Sequence, residues 1–467
     1  MEKIIIMKFG GSCLKSPESF NKITKIIRKY REKNKIIIVL SALNSITDLL
    51  IECANKANSH EKYDEPLNLI RKIHSEMIDL ILKDYNVIVT EFLDDKIKNN
   101  LINYLNDIWE YGISPYKLDA VMAHGEIFST YIVSNYLNEN DLKSSYTPAN
   151  QFIVTDDTFT DAIPILDITT KKIKEKIIPI IKNNEIAVVT GFIARNKEGH
   201  ITTLGRGGSD FSTTILAYSL KKLGYEVEVI LWKDVDGVLS TNPKLEPRAK
   251  LIHSLSYSEA KELAYFGAKL IHPRCIYTVE EGEIPIQIRN FDQFEKNEFS
   301  EIKRAAIKRD EIVKGIAIIE NVVMITVEGE AFSVSEMMPK ILSLIGENKI
   351  NILMISQATS QSNCTFLVSG IDGDRVKDIL INSPLFGKTW FKIKRELDCS
   401  LIAIIGEGMA FKPGVAGKIF TILGENKVNI RAIAQGSSEL NISCVISRKD
   451  LKKAIECLTD EFNLINK

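Results

Sequence analysis

A chain of 467 residues is too long for one ordinary hydrophobic core, so two or three domains are expected, each large enough to bury a stable interior. Its 60 basic and 61 acidic residues leave a formal net charge of −1, which offers no electrostatic footprint for nucleic acid or an anionic membrane surface, and neither is expected as a partner. The seven cysteines are scattered without a CxxC pair, which argues against a disulfide framework and a structural zinc and points to reduced thiols in a cytoplasmic protein.

The apolar run in MEKIIIMKFGG is too short for a signal peptide, and no later stretch approaches a membrane span. Ile4 to Phe9 reads as a buried parallel strand that ends in the tight turn of Gly10 and Gly11. Ser16 is placed to cap the following helix, with Pro17 in its first position and Phe20, Ile23, Ile26, Ile27 and Tyr30 on one face. Ile36 to Leu40 is a second buried strand, so the three elements form a βαβ unit. Its ligand site is expected beyond the carboxyl ends of the strands, where Lys8 to Gly11 and Ser41 lie.

From Thr47 to about Lys182 the pattern is mostly helical, interrupted by β-like pieces at Ser144 to Thr147 and Gln151 to Thr155. Ile186 to Thr190 is another buried strand, and Arg195 to His200 reads as a hairpin loop turning at Gly199. A helix over Phe211 to Lys222, a strand over Val227 to Trp232, a helix over Tyr257 to Leu270 and a strand over Ile284 to Ile288 complete an alternating α/β series.

Beyond about residue 300 an internal repeat appears. ILSLIGENKINILMISQATSQSN at Ile341 to Asn363 matches IFTILGENKVNIRAIAQGSSELN at Ile419 to Asn441 without a gap, at an offset of 424 − 346 = 78 residues. Two copies at a domain-sized period imply a duplicated small α+β domain rather than a solenoid.

Chemistry concentrates in a few strings. The run LGRGGSDFS at Leu204 to Ser212 joins paired glycines, an arginine suited to a carboxylate or phosphate, and an aspartate opening a helix. A helix cap alone would need the aspartate but no glycines, which favours a ligand. Taken singly, the other strings have bland readings. Lys8 with Gly10 and Gly11 could be an ordinary turn, Glu126 in AHGEIFST a solvated carboxylate, WKDVDGVLSTNPK a loop, Lys269 in FGAKLIHP a solvated helix-end lysine, and Ser41 and Thr47 turn and cap residues. The histidines lack metal spacing, so no protein-held metal is expected.

Together and in this order, KFGG, the Ser-Ala of Ser41 with the following Thr47, HGE, TTLGRGGSD, KDVDGV with NPK, and FGAKLIHP resemble the aspartate kinases. The resemblance extends to the C-terminal duplication, which is similar to the tandem effector-binding ACT domains of that family. It implies an α/β protein: an amino acid kinase-like αβα sandwich over 1–300, a first ACT region over 301–390 and a second over 391–467. Residues of about 300–315 are candidates for pairing with the second. It also implies transfer of the ATP γ-phosphoryl group to the β-carboxylate of L-aspartate, giving 4-phospho-L-aspartate, the first step towards lysine, threonine and methionine. Such chemistry demands alignment and charge neutralisation.

By the same resemblance, Lys8, Asp210 and Lys269 are the catalytic residues, Lys8 on the transferring phosphoryl and Asp210 orienting the lysines. Ser41, Thr47, Glu126, Arg206 and Ser209 would hold aspartate, with Glu126 on the ammonium and Arg206 on a carboxylate. Lys8, Phe9, Gly10, Gly11, Lys233, Asp234, Leu239, Lys244, Lys269 and Leu270 would hold ATP, with Mg2+ carried on its phosphates. Departures from the family pattern are Ser12 and Cys13 after the glycines, Leu239 for an aromatic, Lys244 for arginine, and Ser45 for a glycine, which predicts a stiffer loop.

The second repeat carries Gly406, Gly408, Gly414 and Gly417 where the first has Glu328, Glu330, Glu336 and Pro339, so the two loops should bind effector differently. Lysine or threonine is the expected effector, and a homodimer or dimer of dimers the expected assembly. The expected form is monofunctional, without a fused homoserine dehydrogenase. A kinase for glutamate or acetylglutamate is the alternative within the fold, and a catalytically silent amino-acid sensor the alternative outside it.

Overall fold

The computed structural model describes residues 3–266, 271–304, 311–329, 334–357, 363–387 and 391–466. The chain divides into two compact units. The first comprises Met1–Val238, His253–Tyr257 and Leu270–Ala305; the second comprises Leu239–Ile252, Ser258–Lys269 and Ala306–Lys467.

In the first unit the strands are, in chain order, β1 (Ile4–Phe9), β2 (Lys35–Leu40), β3 (Ser144–Thr147), β4 (Ile186–Thr190), β5 (Ile193–Arg195), β6 (Ile201–Thr203), β7 (Val227–Lys233), β8 (Ser254–Leu255), β9 (Ile286–Asn290) and β10 (Phe299–Ile302). All but the β5–β6 hairpin join one sheet in the order β3-β4-β2-β1-β7-β9-β10-β8. β1 is apolar but for Lys8 and is buried along its whole length, as a strand covered on both faces is. It pairs in parallel with β2 and with β7, placing Phe9 level with Leu40 and Trp232, while β4 sets Thr190 against Leu40. The residues that follow these strands therefore emerge together at one edge of the sheet.

The helix Pro17–Arg31 buries Phe20, Ile23, Ile26 and Ile27 against a core that also takes in Phe128, Ile132 and Val133 from the helical layer. Ser16 occupies its cap position but its side chain makes no cap bond; the hydroxyl lies 3.3 Å from that of Ser19 instead. The expected strand at 284–288 runs from Ile286 to Asn290, because Pro285 has no N–H to donate to a ladder. The piece expected at 151–155 is a short 3-10 turn, Ala149–Gln151, followed by isolated bridges at Val154 and Thr155; the Val154 N–H is taken by the Thr169 hydroxyl at 3.0 Å. The helix beginning at Tyr257 runs to Tyr265.

In the second unit β11 (Gly315–Gly329), β12 (Ile352–Gln357), β13 (Asn363–Ser369), β14 (Phe391–Ile405), β15 (Ile430–Gln435) and β16 (Asn441–Ser447) form a sheet ordered β12-β13-β11-β14-β16-β15. The sequence repeat reappears as geometry: β12 with β15 and β13 with β16 sit 78 residues apart. The long strands β11 and β14 run antiparallel, pairing Gly315 with Ile405 at one end and Gly329 with Phe391 at the other, with a bulge between Ile319 and Val322. Each strand consequently serves both repeats. Val313 and Ile316 pack with Ile402, Ile404, Ile419 and Ile442, whereas Val323, Ile325 and Val327 pack with Met337, Ile341 and Phe366.

This exchange gives a prediction. Ile316→Ala should cost roughly 2–5 kcal/mol, as large-to-small core changes do, and hydrogen exchange should show the loss in residues 401–405 and 441–447 more than in 363–369. Loss confined to 363–369 would contradict the exchange.

Candidate active site

Lys8 lies one residue before the end of β1 and Lys233 is the last residue of β7. Lys8 is level with Leu231, so Lys233, two positions further on, projects from the same face of the sheet. Between the two ammonium groups stands Asp210, in the first turn of the helix Gly208–Lys222, with Oδ1 2.8 Å from Lys8 Nζ and Oδ2 2.7 Å from Lys233 Nζ. The helix begins at Gly208, three residues earlier than expected, with Gly207 at the cap, so Asp210 is inside the first turn rather than at the cap. A carboxylate there is favoured by the helix dipole.

Burial alone would push the Asp210 carboxyl up, but Lys8 and Lys233 outweigh it and hold it at about 2. For Lys8, burial works against the charged form and the Asp210 carboxylate overcomes it, so its pKa rises. Two cations and one carboxylate leave one uncompensated positive charge in a site largely closed to water. An anionic ligand is what such a site accepts.

A cavity of about 250 Å³ opens beside this triad, lined by Lys8, Ser41, Thr47, Glu126, Phe192, Gly205, Gly207, Gly208, Ser209 and Asp210. The Ser41 hydroxyl donates to that of Ser209 at 3.0 Å, and Ser129 donates to the Ser41 carbonyl at 2.7 Å. Glu126 enters from the helix His124–Glu139. A Cβ on the preceding Gly125 would lie 2.7 Å from the Ala42 methyl, so only glycine lets this helix approach the end of β2. Glu126 is buried, its Oε2 has no hydrogen-bond partner among the described residues, and burial pushes its carboxyl up to about 8. A buried acid with one oxygen left unpartnered, facing a polar cavity, suits a cationic group.

The motif's histidine has a different part. His124 is buried, its Nδ1 lies 2.9 Å from the Ala120 carbonyl, and burial lowers its pKa to about 4, so it is a neutral packing residue. Cys13 follows the strand-end glycines, yet burial pushes its thiol up to about 11, and burial raises that of Cys275 as well; neither offers a thiolate. Ser45, standing where glycine was expected, adopts φ +67 at the start of the helix Ile46–Asn58, a conformation costing an ordinary residue about 1–2 kcal/mol.

The other expected residues are more dispersed. The Phe9 ring is fully buried, stacked on Trp232 at 6.3 Å and edge-on to Phe291 at 6.0 Å, so the core takes its side chain. Gly10 and Gly11 lie just past β1, and a Cβ on Gly10 would sit 3.3 Å from Lys8 Nζ. Arg206 is exposed on the turn before the helix, outside the cavity lining. Asp234 is exposed beyond β7. Leu239 and Lys244 belong to the second unit, Leu239 bridged to Leu251 and Lys244 exposed. Lys269 and Leu270 lie outside the described residues.

Phe192 was not foreseen. It follows β4 at φ +65, its N–H bonded to the Ser212 hydroxyl at 2.9 Å, and it lines the cavity. Its signal was the position after the Thr190–Gly191 strand end, at the same sheet edge as Lys8.

The sequence profile of the amino acid kinase family matches residues 3–290. The chain belongs to the amino acid kinase family. An ACT domain profile matches residues 402–462. Among its relatives, a bifunctional aspartokinase/homoserine dehydrogenase of Buchnera aphidicola is 30% identical over 469 residues, covering 97% of this chain and 55% of that protein. An aspartokinase of Bacillus is 27% identical, covering 99% and 97%. The chain spans about half the length of the bifunctional relatives it matches. In fold it is similar to E. coli aspartokinase III solved with aspartate and ADP, at a TM-score of 0.81 and 23% identity, over 98% of this chain and 99% of that one. No helix among the described residues is long and apolar enough to cross a membrane.

The raised Glu126 pKa has a stability consequence. Between about pH 4.5 and pH 8 the folded state binds more protons at this group than the unfolded state, so stability falls as pH rises through that window. Glu126→Gln should therefore raise Tm at pH 8 relative to the parent, by about 2 °C or more for each kcal/mol relieved, and the gain should vanish at pH 4.5. A gain independent of pH, read by calorimetry across the range, would refute a buried titrating acid.

Proposed function

We propose that this chain transfers the γ-phosphoryl group of ATP to the β-carboxylate of L-aspartate, giving 4-phospho-L-aspartate. The observation that carries this reading is the buried Lys8–Asp210–Lys233 triad sharing one small cavity with Glu126, whose Oε2 has no partner among the described residues. The name of the Bacillus relative, matched over nearly the whole of both chains, points the same way.

The reaction brings two anions together, a carboxylate and a terminal phosphate, so charge neutralisation and alignment are the main tasks. Lys8 stabilises charge on the transferring phosphoryl group, helped by the first-turn N–H groups of the helix Gly208–Lys222. Asp210 fixes both lysines without cancelling them. Glu126 accepts the substrate ammonium, and that neighbouring cation favours the ionised carboxylate, so aspartate binding below about pH 8 should release a proton. Arg206 swings from its exposed turn to pair with a substrate carboxylate in bidentate fashion. Ser41, Thr47 and Ser209 complete the acceptor side with hydroxyl groups.

On the nucleotide side, Gly10 and Gly11 offer backbone N–H groups, with Phe9 contributing only backbone. Lys233, Asp234, Leu239, Lys244, Lys269 and Leu270 are assigned to ATP by resemblance to the family. Among the described residues no group of three or more His, Cys, Asp or Glu could hold a metal, and Asp210 is already committed to two lysines. Mg2+ therefore suits the nucleotide phosphates, where it would neutralise charge. The kinase and ACT boundaries expected above are proposed with it, as are feedback by lysine or threonine at the repeats and assembly as a dimer.

The test is ATP- and aspartate-dependent acyl phosphate formation, trapped as the hydroxamate, with added lysine, threonine or both. Arg206→Ala should reduce kcat/KM for aspartate by about 100-fold or more, the loss expected for a bidentate charged contact. Near-normal turnover in that variant would remove Arg206 from the site. Turnover with glutamate but not aspartate would replace the substrate.

A further inference from the structure

The turn that carries Arg206 is held from two sides. On one side lies the loop that ends at Asp161. Thr160 takes φ +68, its N–H bonds to the buried Asp119 carboxylate at 2.9 Å, and the same carboxylate accepts from the Thr203 N–H at 2.9 Å and hydroxyl at 2.7 Å. On the other side is the helix Pro273–Glu281, capped by His272, whose ring nitrogen accepts from the Arg274 N–H at 3.3 Å. A Cβ on Gly207 would lie 3.2 Å from that of His272. Arg274 closes the bracket with a two-pronged ion pair to Asp161, at 2.6 and 2.7 Å.

Asp161 sits very close to the turn. At Gly205, with φ +69, a Cβ would fall 2.3 Å from Asp161 Oδ1, so the carboxylate lies directly against the residue before Arg206. Consecutive Cα atoms are only about 3.8 Å apart, so Asp161 is well within the reach of the Arg206 guanidinium. Arg206 nevertheless makes no ion pair among the described residues, while each Asp161 oxygen accepts from Arg274 and that guanidinium offsets the carboxylate charge.

We propose that the Arg274–Asp161 ion pair keeps Arg206 available for the acceptor carboxylate, making Arg274 a positioning residue for the acidic substrate. This rests on the acceptor role given to Arg206 above. Without Arg274 the exposed, uncompensated Asp161 carboxylate captures Arg206 and competes with the substrate for the same fork of donors. The competition acts on substrate binding, not on the phosphoryl-transfer step, so it appears in KM for aspartate and spares KM for ATP. Lysine at position 274 keeps the charge but loses the fork, and should have an intermediate effect.

The experiment compares the parent enzyme with Arg274→Ala, Arg274→Lys and the double variant Arg274→Ala/Asp161→Ala in the hydroxamate assay, with thermal unfolding to check the fold. Arg274→Ala should raise KM for aspartate about tenfold with kcat changed less than about threefold. The double variant, having lost the competing carboxylate as well, should recover most of that rise, a coupling only a cycle of this kind isolates. An unchanged KM in Arg274→Ala overturns the proposal, and so does a double variant no better than the single one, which would make the pair a plain brace for the turn. If the parent shows no aspartate-dependent turnover, the functional reading itself fails, and this inference with it.

Discussion

The site depends on one buried interaction, the Asp210 carboxylate held between Lys8 and Lys233. Taking three charges out of water is costly, and the cost is offset only because the carboxylate meets both cations at close range. If Asp210 were removed, two lysines from neighbouring strands would face each other with nothing between them. Its presence leaves a net positive site of fixed geometry, while the raised pKa of Glu126 keeps that acid from cancelling the charge near neutral pH.

The arrangement follows from register. β1 and β7 are neighbours, and their period of two puts Lys8 and Lys233 on one face; β2 and β4 end level with them, bringing Ser41 and Phe192 to the same edge. The helix Gly208–Lys222 is buried from Gly208 through Leu220, so its first turn is fixed by packing along most of its length. Two unfavourable backbone conformations lie at this edge: Ser45, two residues before the cavity-lining Thr47, and Phe192, which lines the cavity itself, are non-glycine residues at positive φ. Local strain of this kind is kept where surrounding structure over-determines it.

Much of this was legible in the sequence, for physical reasons. Continuous apolar runs marked β1, β2 and β4, and strand ends in a parallel sheet mark the ligand edge, so Lys8 and Ser41 were found from pattern, and Glu126 and Asp210 from pattern joined to family resemblance. Phe192 was not, because an aromatic after a strand-end glycine has no signature of its own. The Phe9 side chain went to the core rather than towards the nucleotide, since alternation turns it away from Lys8. Ser16 looked like a cap but bonds elsewhere, and Pro285 delayed a strand that hydropathy alone began too early. The repeat was visible at its offset of 78 residues, whereas an exchange between the repeats was expected only around residues 300–315 and only from the family resemblance, because strand pairing across a duplication leaves no trace in periodicity; the full extent of the sharing of β11 and β14 was not legible.

The central claim is that the Asp210-centred triad drives phosphoryl transfer. The most direct measurement is single-turnover acyl phosphate formation by Asp210→Asn at saturating ATP and aspartate, with circular dichroism confirming the fold. The account predicts a fall in rate of about 100-fold or more, since misaligned lysines lose electrostatic stabilisation of the transition state. A folded variant turning over at near the parent rate would contradict it.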